Sequence, residues 1–137
     1  MSPRGTTRIA TILLLAAVGL LASGRARGDE APAVKKQIVL KEATSLPDRD
    51  AIMALVELPP GSSEGRHTHA GELFGFVVEG AITLVSEGSP TAKLTAGEAY
   101  HVLPGRVHDV INEGSVVAKT AVVLVAERGK APTTEVK

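Results

Sequence analysis

Three histidines carry the chemistry legible in this chain. His67 and His69 stand two apart within Gly61–Gly80 (GSSEGRHTHAGELFGFVVEG), and His108 follows a Pro104-Gly105 turn downstream. Residues two apart on an extended strand project from the same face. Two imidazoles projecting together can hold one metal ion once a neighbouring strand brings a third donor, and neutral imidazole suits Zn, Fe, Cu and Ni alike. His108 is the third donor that the sequence offers. Three imidazoles leave metal positions for water or substrate, the arrangement of a reactive site rather than a closed structural one. The alternative, three metal-free histidines hydrogen-bonded in a β core, requires burying several titratable rings together, which is costly. His101 is a weaker candidate, because parity puts it on the face opposite Tyr100 and Val102. It reads first as a surface or core histidine, then as a substrate or proton-relay residue, and last as a ligand. Phe74, Phe76 and Tyr100 are expected in the core, Arg106 and Lys119 in solvent.

The elements that must position these side chains read as strands. Short β-favouring runs at close spacing are broken by Gly and Pro: Gln37–Ala43, Ala51–Leu58, Glu72–Glu79, Ala81–Ser86, Ala99–Leu103, Asp109–Asn112 and Val116–Ala126. Many short strands with frequent turn signals mean an all-β sandwich or barrel. Glu79-Gly80 predicts a tight hairpin, Glu87-Gly88-Ser89-Pro90 a looser one, and Pro104-Gly105 turns the chain before His108. The run VVAKTAVVLVA is nearly all apolar, as expected of a last strand packed between layers. One β domain, residues 37–126, follows a polar leader (Asp29–Lys36), and the tail 127–137 is expected as a loose surface arm.

Length and composition agree with one globular domain: 137 residues, 44% hydrophobic and 22% charged. With two Phe, one Tyr and no Trp, the core must be aliphatic and a ligand cavity has little aromatic stacking to offer. Arg4, Arg8, Arg25 and Arg27 all fall in the first 28 residues, where no acid occurs. The rest keeps eleven Lys+Arg against fifteen Asp+Glu, a net of −4, and this mildly acidic balance argues against a nucleic-acid partner. The basic Met1–Arg8, the apolar Ile9–Ala22 and the small Ser23-Gly24 follow the order of a secretory signal. Residues 1–28 are therefore expected as a signal peptide, with cleavage between 24 and 33 and export to the periplasm or beyond. Its fourteen-residue apolar run is shorter than the roughly 18–20 residues a membrane helix needs, so no stable anchor is expected after cleavage. The absence of Cys excludes a lipoprotein anchor, disulfides and thiolate ligands.

Two motifs carry a family resemblance. Gly61-x5-His67-x-His69, closed by Gly80, and Gly97-x6-Pro104-Gly105-x2-His108-x3-Asn112 resemble the two motifs of the cupin superfamily, and together they cover Gly61–Asn112. The resemblance implies a double-stranded β-helix, or jelly-roll barrel, in a single-domain member. It also implies one divalent transition metal ion (Fe, Mn, Zn, Ni or Cu) held by two His, a Glu and a third His. His67, His69 and His108 match the family's histidine positions. A small-molecule ligand and a homodimer are implied as well.

The glutamate is where the chain departs from the family. The motif's Glu stands four residues after the second His, and that slot holds Leu73; Glu72 comes one earlier. On alternation Glu72 shares a face with Phe74, Phe76 and Val78, whereas Leu73 goes with Gly75, Val77 and Glu79. If the bulkier apolar face points inwards, Glu72 reaches the metal through a bulge. If the motif's register holds, Leu73 faces the ion and a three-His site remains. The unchanged spacing from His69 to Gly80 leans towards the second.

Function is less determined than fold, since cupins include dioxygenases, isomerases, decarboxylases and binding proteins. The first expectation is a metal-dependent enzyme, dioxygenase-like or isomerase-like, on a small oxygen-rich compound. The second is a non-catalytic exported module that binds a metal or a small ligand, favoured by the missing acid.

Overall fold

The computed structural model describes residues 31–137. The segment read as a signal peptide, 1–28, lies outside the described residues. Ten strands follow one another: β1 (Lys35–Ala43), β2 (Arg49–Leu58), β3 (His67–His69), β4 (Gly71–Glu79), β5 (Ala81–Ser86), β6 (Ala92–Thr95), β7 (Ala99–Val102), β8 (His108–Ile111), β9 (Ala118–Glu127) and β10 (Thr133–Glu135). They form two five-stranded antiparallel sheets, ordered β1-β2-β9-β4-β7 and β10-β3-β8-β5-β6. The expected all-β jelly-roll architecture is thus observed.

The core lies between the sheets because alternate residues of each strand face inwards. Val56 and Leu58 of β2, Leu73 and Val77 of β4, Tyr100 and Val102 of β7 and Leu124 of β9 meet Ile82, Leu84 and Val110 from the other sheet. The Glu79-Gly80 turn is not the expected hairpin: β4 and β5 belong to different sheets and do not pair, so it carries the chain from one sheet to the other, with Gly80 at φ 75°, a conformation that glycine adopts without a Cβ penalty.

Three further expectations are corrected by the structure. Phe74 and Phe76 are not core residues: they lie on the outer face of the β1-β2-β9-β4-β7 sheet, 47% and 46% exposed. The inward face of β4 carries Leu73 and Val77 but is closely approached at Gly71 and Gly75. A Cβ on Gly71 would run into the backbone of β9, and one on Gly75 would lie 2.5 Å from Cε2 of the Tyr100 ring and closer still to its Cε1 and Cζ. The tail 127–137 is not a loose arm, since Thr133–Glu135 pairs with β3, Thr133 opposite His69 and Glu135 opposite His67. For the same reason β9 is not the last strand. The polar leader also ends earlier than expected, because Lys35 and Lys36 already pair with Glu57 and Val56.

Candidate metal centre

The three histidines come from two adjacent strands of one sheet. On the three-residue β3, Thr68 faces away and His67 and His69 face in; His108 opens β8, directly opposite His67. All three are buried. The turn before His108 is tied to the other side of the site, because the Gly105 N–H donates to the His69 carbonyl at 2.9 Å. Ring centroids are 4.2 Å apart for His67 and His108, 4.8 Å for His67 and His69, and 5.0 Å for His69 and His108.

The hydrogen bonds decide which nitrogens are free. His67 Nδ1 is 2.6 Å from the Gly65 carbonyl, His108 Nδ1 3.0 Å from that of Arg106, and His69 Nδ1 3.1 Å from that of Pro132. A carbonyl only accepts, so each Nδ1 carries the proton and donates, which leaves every Nε2 with its lone pair. A ligating histidine characteristically donates its other ring N–H in this way. One potential ligand atom from each ring lies within 4.8 Å of the others, and among the described residues this is the group of His and acidic side chains able to hold an ion.

Electrostatics favour the neutral, ligating form. The His69 pKa is lowered to about 4, by burial first and the neighbouring His67 second, against the opposing pull of the Pro132 carbonyl. Burial is also the leading cause that lowers His108, while the Arg106 carbonyl works against it. These residues therefore fit a divalent transition metal, whose binding needs deprotonated imidazole. Such an ion, when bound, polarises a coordinated oxygen or activates water.

Glu72 is not brought to the histidines. Its side chain is 48% exposed on the outer face, with Oε1 3.9 Å from Nε2 of His101. His101 lies there too, stacked on Phe74 with ring centroids 4.7 Å apart and planes at 6°, so it is a surface residue. Leu73, 6% exposed, faces inwards in the register of the family motif. A cavity of about 100 Å³ opens beside the histidines, walled by Ile52, Val56, Leu73, Val122 and Leu124 and reached by His69, His108 and Tyr100. Tyr100, expected as packing, thus also faces the cavity. Arg106 donates from Nη1 to the Glu87 carbonyl at 2.6 Å and Lys119 pairs with Glu79 at 2.9 Å, both on the surface as expected.

Sequence reasoning missed Pro132 and Thr133, whose carbonyl and hydroxyl both lie 3.1 Å from His69 Nδ1. A Thr-Thr-Glu strand of three polar residues carries no periodicity to betray it.

The family model described as "Cupin domain" matches residues 54–125, more than half of the chain. The chain belongs to the cupin family. Comparison with curated proteins gave no match. Among solved structures, this cupin is similar to a conserved protein with a double-stranded β-helix domain from Klebsiella pneumoniae: 22% identity, 76% of this chain and 84% of that one, TM-score 0.61. It is also similar to the DMSP lyase of Ruegeria pomeroyi, at 20% identity over 64% of this chain and 43% of the lyase, TM-score 0.58. An oxalate oxidase in complex with the substrate analogue glycolate shows 22% identity, 63% and 46% coverage and TM-score 0.57. The cupin spans less than half the length of the lyase and the oxidase, and at these identities the likeness shows the fold.

Proposed function

We propose that this cupin is an exported, metal-dependent enzyme in which His67, His69 and His108 hold one divalent transition metal ion and present it to a small oxygen-bearing compound in the adjoining cavity. The observation that carries this reading is the set of three Nδ1–H to carbonyl bonds, which leaves three Nε2 lone pairs in a cluster whose His69 and His108 line a largely apolar cavity. The cavity walls would hold a small compound against these residues, where a bound ion would supply polarisation of its oxygens. The oxidase and the lyase named above support the reading in so far as the same fold carries enzymes. The second reading, a non-catalytic metal- or ligand-binding module, is favoured by Leu73 standing where the family motif has its glutamate.

Metal analysis of protein taken from its native compartment tests the first step. About one divalent ion per chain is expected, and His108→Ala should abolish stoichiometric binding. Unchanged metal content in that variant overturns the site. Oxygen uptake and product analysis of the Fe(II)-loaded protein against a panel of small carbonyl and hydroxy compounds then separates the two readings, because turnover of any member excludes the binding module.

A further inference from the structure

Glu64 lies three residues before His67 and is no part of the family motif's metal set. The structure nonetheless turns it into the histidine cavity. Its segment runs beside β8: the Gly61 N–H donates to the Asn112 carbonyl at 2.8 Å, the Asn112 N–H to that of Ser62 at 2.9 Å, and the Glu64 N–H to that of Val110 at 3.0 Å. Alternation then sends Ser63 outwards, where its hydroxyl donates to the Asp109 carboxylate at 2.7 Å, and Glu64 inwards. The strand that begins with His108 therefore also fixes Glu64.

The carboxylate is 11% exposed and meets Lys36 Nζ, on β1, at 3.1 Å. These two are the charged side chains among the described residues that line the cavity; the remaining wall is apolar apart from His69, His108, Tyr100 and Thr133. The Glu64 charge is felt on both sides of the cavity. It adds to burial, the main cause, in pushing the Tyr100 hydroxyl up, and it opposes the lowering of His108 by burial. A carboxylate drawn out of water needs partners, and a lysine reaching in from an edge strand supplies one. Its other acceptor positions remain for what enters the cavity, and a few placed polar groups in an apolar pocket are what orients a ligand.

We propose that Glu64 is the ligand-contacting carboxylate of this cavity, positioned by Lys36, and that the site takes small compounds with an apolar body, an oxygen for the histidine-held ion and an N–H or O–H group that donates to Glu64. This rests on the metal reading given above.

Acetohydroxamic acid and acetate are suitable probes, since both offer oxygen to a metal and only the first also carries N–H and O–H donors. The full chain loaded with Co(II) is titrated with each, followed by its visible spectrum, and the ratio of the two dissociation constants is compared between wild type and Glu64→Gln. The ratio cancels changes common to both probes. The preference for acetohydroxamic acid should fall roughly 10-fold or more in Glu64→Gln, the loss expected for one charge-assisted hydrogen bond. Lys36→Met should lower it less, because the carboxylate stays but is no longer held. A ratio within about twofold of wild type in Glu64→Gln, with Co(II) still bound one per chain, overturns the inference and leaves the metal reading standing. Loss of Co(II) in Glu64→Gln overturns it too, by making Glu64 a determinant of the metal site. Wild type that takes up no stoichiometric Co(II) refutes the metal reading, and the inference falls with it.

Discussion

Gly75→Ala is the sharpest test of how the cavity wall is built. A Cβ there would lie 2.5 Å from Cε2 of Tyr100 and closer to Cε1 and Cζ, whereas carbon atoms rest at roughly 3.5–4.0 Å. The ring must therefore retreat by about 1 Å or more. It is buried against the aliphatic core, so retreat strains the packing. Overpacking costs about 1–3 kcal/mol, against roughly 0.5–1 kcal/mol regained by removing a glycine from a strand. The net is about 1–2 kcal/mol, or roughly 5–15 °C in Tm for a domain of this size. Urea and thermal unfolding measure it directly. In a Tyr100→Leu background the ring is gone, and the same substitution should be close to neutral. A Gly75→Ala protein within about 0.5 kcal/mol of wild type, or an equal cost in both backgrounds, would refute the steric account.

Two further outcomes are expected. Glu72→Gln should leave metal affinity within about twofold, because Glu72 is on the outer face and surface changes are usually small, while Leu73→Glu, facing the cavity, should tighten binding in competitive metal titrations. The metal-free protein should lose stability as pH falls from about 6.5 to about 4: His69 is held neutral when folded, so the unfolded chain takes up the proton first and gains by it. Chemical unfolding at several pH values should show this loss, and a markedly smaller one in His69→Asn; an identical loss in both would mean that other groups carry it.

Much of this was legible in the sequence, for identifiable reasons. The long strands announced themselves through apolar alternation or apolar runs, and the paired histidines through spacing alone. The four-residue β7 and β8 were read from Tyr, Val and Ile beside turn signals, whereas β6 (AKLT) and β10 (TTE) carry too few β-favouring apolar residues to show as runs. The face of β4 was harder still. Hydrophobicity put Phe74 and Phe76 inside, yet Gly71 and Gly75, sharing the Leu73 face, were the informative residues: two missing side chains mark a face where neighbours approach closely. Glu64 escaped notice because its importance depends on a strand forty-six residues downstream, and local pattern does not report such pairings.

All three histidines sit on the β10-β3-β8-β5-β6 sheet, whereas Ile52, Val56, Leu73, Val122 and Leu124, most of the wall that a ligand's body would touch, belong to the opposite sheet. Reactivity and selectivity are thereby coded on separate pieces of backbone. Substitutions on β2 or β9 can reshape what fits without disturbing the ion's anchors, so a lineage or an engineer could retarget this barrel one wall at a time while its chemistry stays intact.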